Sequence, residues 1–166
     1  MKADFKEIMK DVVDIHVHAG PSVAERSVDA CEMWELANQA GYKAVVIKDH
    51  YFPSMLGTRM IEKYFNEDGT KTHIYGSACV NNATGAFNLN TVDVSIAMGA
   101  KVIWMPTLSS WNHMQMHKGK FVGGGNTTVL ENPIYSLNED GSLKIEVVDF
   151  LKLMAQHPDV VLGTGH

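Results

Sequence analysis

Short apolar runs alternate along the chain with longer segments in which apolar residues recur every three to four positions. Continuous apolar runs are typical of strands buried on both faces of a parallel sheet, and recurrence at helical spacing predicts amphipathic helices. The pattern predicts strands at residues 12–18, 44–48, 73–80, 101–105 and 160–162. It predicts helices at residues 28–40, 55–65, 89–98 and 146–156, after a short helix at residues 3–10.

Residues that begin and end helices support these boundaries. Ser27 is a suitable N-cap for the helix at 28–40, and Gly41 is a suitable C-terminal cap. Pro53 suits the first turn of the next helix, while Pro158 blocks continuation of the last one.

Strict alternation of strands and helices implies right-handed βαβ units and a parallel sheet, so the predicted fold class is α/β. With 166 residues, the chain has the length of one domain, residues 1–166. The alternation fails at about 108–145, where we expect a long loop insertion that serves as a lid or binding loop. Within it, residues 134–137 and 143–145 are predicted to form a small hairpin.

Composition restricts the class of partner. The formal net charge is −5, which disfavours nucleic acid and anionic membranes. No apolar run approaches the roughly 20 residues of a membrane span, and the N-terminus lacks the apolar core of a signal peptide. Cys31 and Cys79 lie in apolar segments and are interpreted as reduced core thiols. We therefore expect a cytoplasmic protein that acts on a small-molecule substrate.

Polar side chains stand where the predicted strands end. His16 and His18 lie two residues apart on the first strand, so their side chains point to the same face. Because the carboxyl ends of parallel strands meet at one edge of a sheet, a functional site is expected there. The residues at that edge are His16, His18, Lys48, Asp49, His50, Asn81, Asn82, Thr107 and His166.

The histidines in this set predict a metal site. Neutral imidazole is the commonest transition-metal ligand, and a catalytic site uses about three protein ligands with one position left for water. His16 and His18, with His50 or His166, meet that requirement for a divalent metal, Zn²⁺ first, with Mn²⁺, Fe²⁺ or Ni²⁺ as alternatives. Such an ion activates water at neutral pH, and the candidate proton carrier is a nearby carboxylate, Asp49 or one outside this chain.

In four segments the chain resembles the amidohydrolase superfamily of metal-dependent hydrolases and, within it, a DUF6282-like branch. The segments are Val-Asp-Ile-His-Val-His-Ala-Gly-Pro-Ser at 13–22, Val-Ile-Lys-Asp-His at 46–50, Val-Ile-Trp-Met-Pro-Thr at 102–107 and Leu-Gly-Thr-Gly-His at 162–166. The resemblance covers nearly the whole chain. It implies a (β/α)8 barrel of TIM type with one or two divalent metal ions at its C-terminal face, which hydrolyses a C–N, C–O or P–O bond. We expect the substrate to be a small-molecule amide, lactone or ester.

Residue by residue, the resemblance assigns the strand-one ligand pair to His16 and His18 and the strand-five ligand to His166. Pro106 and Thr107 stand where a lysine or glutamate ligand is expected after strand four. A barrel of this type needs about 250 residues. We therefore expect a partial barrel that contains about the first five strands. Either the chain is truncated, or it is a half-barrel that stands alone. Such a fragment could bind metal without catalysing hydrolysis.

Lys48 and two further histidines have more than one interpretation. Lys48 is a candidate catalytic residue that faces solvent or binds substrate, and its carboxylation to bridge two metals is the alternative. His113 and His117 have the i, i+4 spacing of a helical metal pair but lack the glutamate of a His-Glu-x-x-His motif. We expect these two histidines in a surface loop.

Two other functions stay open at this stage. The Asp49-His50 pair also resembles the PHP phosphoesterases, which have a similar pair after a His-x-His strand. A non-enzymatic, flavodoxin-like binding module of five strands also has a length near 166 residues. A half-barrel exposes its first and fifth strands, and such edges invite pairing with another chain, so we expect a homo-oligomer.

Overall fold

The computed structural model describes residues 5–117, 128 and 131–165. The strands in this part of the chain are β1 (Val13–Val17), β2 (Ala44–Ile47), β3 (His73–Cys79), β4 (Val102–Trp104) and β5 (Val161–Gly163). The helices are α1 (Phe5–Met9), α2 (Ala30–Ala40), α3 (Met55–Phe65), α4 (Leu89–Ala97), α5 (Trp111–Met116) and α6 (Ile145–Ala155), with a 3₁₀ turn at Asn82–Thr84. Each predicted strand is therefore present, as is each predicted long helix.

The strands form one sheet in sequence order, β1-β2-β3-β4-β5, and every neighbouring pair is parallel. The sheet curls into a half-barrel, so the predicted α/β class is confirmed. A flavodoxin-like sheet has the strand order 2-1-3-4-5, in which the chain reverses direction across the sheet. The sequential order shows that this alternative fold is wrong.

Helices cover one face of the sheet. Near the first strands, Val45 and Ile74 pack against Trp34 of α2 and Ile61 of α3. A second cluster continues this layer, and its members lie on β3 to β5, α4 and α6: Ala78, Val92, Ile103, Val147, Phe150, Met154 and their neighbours. Most of the apolar core therefore lies between the sheet and its helices.

The opposite face of the sheet carries a smaller apolar cluster. Val46, Cys79, Val102 and Trp104 contact one another there, and Tyr75 packs against them. Because strand side chains alternate between faces, these residues are one position away from those that face the helices. Lys48, two residues after Val46, lies on this face at the carboxyl ends of the strands.

The prediction that the first strand is buried on both faces is wrong. β1 is an edge strand of the sheet, and Val13 and Ile15 are 50% and 45% exposed. Val161 on β5, the other edge strand in the described part of the chain, is 51% exposed. Pairing of copies through these edges stays a prediction.

The start of α2 differs from its prediction. Asp29, not Ser27, is the N-cap: its side chain accepts the Glu32 N–H at 2.9 Å, and the Glu32 carboxylate accepts the Asp29 N–H at 2.9 Å. This reciprocal capping box satisfies two amides at the helix end. Asp29 replaces Ser27 because Glu32 stands at the spacing that the box requires. The predicted cap at Gly41 is confirmed, with φ of 84°.

The long segment after β4 contains more structure than a loop. It includes α5, whose His113 is buried, so the surface-loop prediction is wrong for that residue. An antiparallel bridge joins Leu137 to Leu143, in agreement with the predicted hairpin. Cys79 is buried as predicted, whereas Cys31 is exposed. No helix in the described ranges is long and apolar enough to cross a membrane.

One glycine permits close contact between α3 and the sheet. Gly76 lies on the face of β3 that meets α3, and a Cβ added there would lie 2.7 Å from the Met55 nitrogen and 2.8 Å from its Cα. Both contacts are with backbone, so a side chain at this position cannot be accommodated by a rotamer change. The start of α3, and the loop that precedes it, depend on this contact.

We expect Gly76→Ala to lower the free energy of unfolding by about 1–3 kcal/mol, because the added methyl group forces α3 away from β3. Urea unfolding measures this change. Gly57→Ala is the matched control, since Gly57 lies in α3 with no atom near its added Cβ. The control should be neutral or stabilising by up to about 1 kcal/mol. Equal stability of the two variants would contradict the proposed contact.

Candidate metal centre

His16 and His18 converge at the end of β1. Their Nε2 atoms lie 3.3 Å apart, and their ring centroids are separated by 5.1 Å. The His16 ring also contacts the Trp104 ring of β4, with centroids 4.9 Å apart. The two side chains therefore lie on the same face of the sheet, as the His-x-His spacing predicts. This face is the one opposite the helices, where Trp104 also lies.

Lys48 joins the same cluster from the end of β2. Its side chain is 1% exposed, and its Nζ lies 3.2 Å from His16 Nε2 and 4.2 Å from the centroid of a Trp104 ring. Burial lowers the pKa of Lys48. Of the two interpretations of Lys48, the solvent-facing one is wrong, because the side chain is buried between β1 and β4. Substrate binding by Lys48 stays a prediction.

His50 lies beside His18 and is held by a polar network. The two ring centroids are 4.7 Å apart, and His50 is 3% exposed. Its Nδ1 lies 2.9 Å from Thr107 Oγ1, which also accepts a hydrogen bond from the Asn81 amide at 2.7 Å. The same amide donates to the His50 carbonyl at 2.9 Å. This network sets the orientation of His50.

Asn81 connects the ends of three strands. Beyond its bonds to His50 and Thr107, its Oδ1 accepts the Thr107 N–H at 2.7 Å and the Ser109 N–H at 3.3 Å. Asn81 is 1% exposed, so each of these bonds lies away from solvent. A buried amide with this number of partners is typical of a residue that holds loops in one arrangement.

Asp49 directs its carboxylate to the loops after β1 and β2. Its Oδ1 accepts the backbone N–H groups of Tyr51 and Phe52 at 2.8 and 3.0 Å, and its Oδ2 accepts the Ser22 hydroxyl. Asp49 also lines a cavity of about 480 Å³ whose walls include the first turn of α3. These bonds make Asp49 an organiser of the loops, and its role as a proton carrier stays a prediction.

The electrostatics of the centre favour neutral imidazole. Burial lowers the pKa of His18 to about 4, and the positive charges of Arg26 and Lys48 and the neighbouring His16 act in the same direction. His18 is therefore uncharged at neutral pH, which is the protonation state that a metal ligand requires.

The structure brings together only part of the predicted ligand set, and His166 lies outside the described part of the chain. His166 is among the residues that the structure does not describe, so its assignment as a ligand stays a prediction. Within residues 5–117, 128 and 131–165, no group of three or more His, Cys, Asp or Glu side chains has the geometry of a metal site. The described candidate ligands with closely convergent nitrogens are therefore His16 and His18.

Sequence reasoning missed three residues near the centre. Arg26 influences His18, and Trp104 contacts both His16 and Lys48. Glu131 accepts the Ser109 hydroxyl at 2.5 Å and the Asn82 amide at 2.7 Å, and so ties the long insertion to the strand ends. Trp104 ends β4 and lies one residue before the end of the strand predicted at 101–105, so the rule that gave Lys48 also leads to it. Arg26 and Glu131 lie in irregular segments without a local signal.

We expect the free protein to lose stability as the pH falls from 6.5 toward 4. The pKa of His18 is lowered from 6.5 to about 4 in the folded protein, so the unfolded state binds more protons in this range. Urea unfolding at several pH values measures the slope, which should be shallower for His18→Gln. His157→Gln is the matched control outside the centre, and identical slopes for wild type and His18→Gln would contradict the assignment.

Comparison with known proteins adds one finding. Residues 11–166 match the model of a family of unknown function, DUF6282. No curated protein matches the chain significantly. No solved structure does so either. The matched region includes β1 to β5 and every residue of the candidate centre, and the chain therefore belongs to the DUF6282 family.

Proposed function

We propose that the chain is a metal-dependent hydrolase that uses a metal-activated water on a small-molecule amide, lactone or ester. His16 and His18 hold the divalent metal, with Zn²⁺ as the first choice. We further propose that the half-barrel is part of a (β/α) barrel of TIM type, which its sequential strand order and curl support. Sites in such barrels lie at the carboxyl ends of the strands, where these histidines stand.

The main support for the metal proposal is the distance between the Nε2 atoms of His16 and His18. In tetrahedral coordination with Zn–N bonds of about 2.0–2.1 Å, two ligand nitrogens are about 3.3–3.4 Å apart. The Nε2 atoms of His16 and His18 lie 3.3 Å apart. The low pKa of His18, about 4, adds to the fit because protons do not compete for its ring at neutral pH.

A third ligand must join this pair, and His50 and His166 are the candidates. Thr107 hydrogen-bonds His50 Nδ1, the kind of contact that orients a metal-bound histidine through its other nitrogen. His166 follows β5, whose carboxyl end lies at the same edge of the sheet.

Lys48, Trp104 and Asp49 have separate roles in the proposed reaction. A divalent metal bound here supplies a Lewis acid and a water of lowered pKa. Lys48, within 3.2 Å of His16, is placed to donate a hydrogen bond to a substrate oxygen. Trp104 excludes water from one side of Lys48. Asp49 holds the loops after β1 and β2, and it transfers a proton only if one of its bonds to Ser22, Tyr51 or Phe52 is released.

Metal content tests the centre directly. After reconstitution with Zn²⁺ or Mn²⁺, the wild type should retain bound metal, and the His16→Ala, His18→Ala double variant should retain almost none by elemental analysis. His73→Ala is the matched control, because His73 pairs with Glu62 at 2.6 Å in another part of the fold. Equal, near-zero content in wild type and double variant would overturn the metal proposal.

Hydrolysis tests the function. The metal-loaded protein should cleave at least one member of a panel of amides, lactones and esters, and chelation should abolish this activity. Lys48→Met should lower kcat/KM about 10- to 100-fold, the effect of losing a charge-assisted hydrogen bond. Lys152→Met, at an exposed position on α6, is the control. Release of phosphate from phosphomonoesters, without cleavage of the panel, would favour the PHP-like phosphoesterase instead.

A further inference from the structure

The loop between β1 and α2 returns on itself beside the candidate metal centre. Gly20, two residues after His18, donates its N–H to the Val28 carbonyl at 2.9 Å and accepts the Ala30 N–H at 2.8 Å. This closure brings Arg26 back against Gly20, where a Cβ added to Gly20 would lie 3.9 Å from the Cβ of Arg26. The loop therefore places the start of the Arg26 side chain beside Gly20, at the end of β1.

The guanidinium group of Arg26 is incompletely satisfied. Its Nε and Nη2 atoms are buried and have no hydrogen-bond partner among the residues that the structure describes. No carboxylate within those ranges forms an ion pair with it. Buried charged donors without partners are costly and rare in native proteins, so these two nitrogens indicate a missing acceptor.

The surroundings of Arg26 attract an anion. Its positive charge and that of Lys48 both lower the pKa of His18, so both cations lie within electrostatic reach of that imidazole. Nearby carboxylates already accept other bonds: Asp49 accepts those of its own loops, and Asp14 accepts the backbone N–H of His16 at 3.0 Å. Neither carboxylate forms an ion pair with Arg26, so among the described residues its Nε and Nη2 remain available to an anion.

We propose that Arg26 binds an oxyanion group, a carboxylate or a phosphate, of the small molecule held at this centre. Nε and Nη2 form one edge of the planar guanidinium, and this edge donates two parallel hydrogen bonds to paired oxygens. Arg26 thus selects substrates that carry an anionic group beside the bond to be cleaved. The assignment to a substrate rests on the proposed hydrolase function, whereas the oxyanion site rests on Arg26 itself.

Calorimetric titration of the metal-free protein tests the oxyanion site. Inorganic phosphate and acetate are titrated separately at constant ionic strength into wild type, Arg26→Gln and Arg26→Lys. At least one anion should bind the wild type, and Arg26→Gln should weaken binding about tenfold or more. Arg26→Lys should restore part of the affinity, since it keeps the charge and loses the paired geometry. Arg59→Gln is the matched control, because Arg59 donates to the Met98 carbonyl on another face.

Stability separates a binding role from a structural one. Because Arg26 Nε and Nη2 have no described partner to lose, ligand-free Arg26→Gln should unfold at the same urea concentration as wild type or a higher one. Binding of phosphate alone indicates a phosphorylated substrate, and binding of acetate indicates a carboxylate. Equal affinity of wild type and Arg26→Gln for both anions, or binding of neither, would overturn the proposal.

The two proposals can fail separately. If the wild type retains no metal and still binds the anion through Arg26, the hydrolase proposal fails and the oxyanion site stands. If the wild type retains metal and Arg26→Gln binds both anions as wild type does, the oxyanion site fails and the metal centre stands.

Discussion

The candidate centre depends on the parallel pairing of β1 with β2. A backbone hydrogen bond of 2.7 Å from the Lys48 N–H to the Val17 carbonyl extends this pairing to the carboxyl ends of both strands. It places Lys48 opposite the segment that carries His16 and His18. Curling of the sheet then brings Trp104 of β4 against this group. A slip of one residue would turn either the histidines or Lys48 toward the helices, because strand side chains alternate.

A buried polar network supports the pairing from the other strands. Asn81 accepts and donates hydrogen bonds that join the ends of β2, β3 and β4. Thr107, which is bonded to Asn81, also hydrogen-bonds the His50 ring. Each member is almost inaccessible to solvent, so breaking one bond leaves an unpaired group in a medium of low dielectric constant. The network therefore holds the ends of β2, β3 and β4 in one arrangement.

The site combines positive charge with neutral imidazole. Lys48 and Arg26 bring two cations close to His18, and burial keeps His18 itself uncharged at neutral pH. An anionic group of a substrate would balance the positive charges of Lys48 and Arg26, and a neutral imidazole is the form in which His18 can bind a metal ion. The two proposals, metal at His16 and His18 and an oxyanion at Arg26, therefore assign different groups of the same site to different ligands.

Local patterns in the sequence determined the strands, the long helices and the polar residues at the strand ends, because periodicity and alternation act over a few neighbouring residues. They also predicted that His16, His18, Lys48 and His50 would meet, since parallel strands end at one edge. Tertiary structure decided that the Val13 and Ile15 side chains of β1 are exposed, that Lys48 is buried, and that Asp49 accepts hydrogen bonds from the loops. It also decided that Arg26 reaches the centre, because its position depends on closure of an irregular loop that no periodic pattern describes.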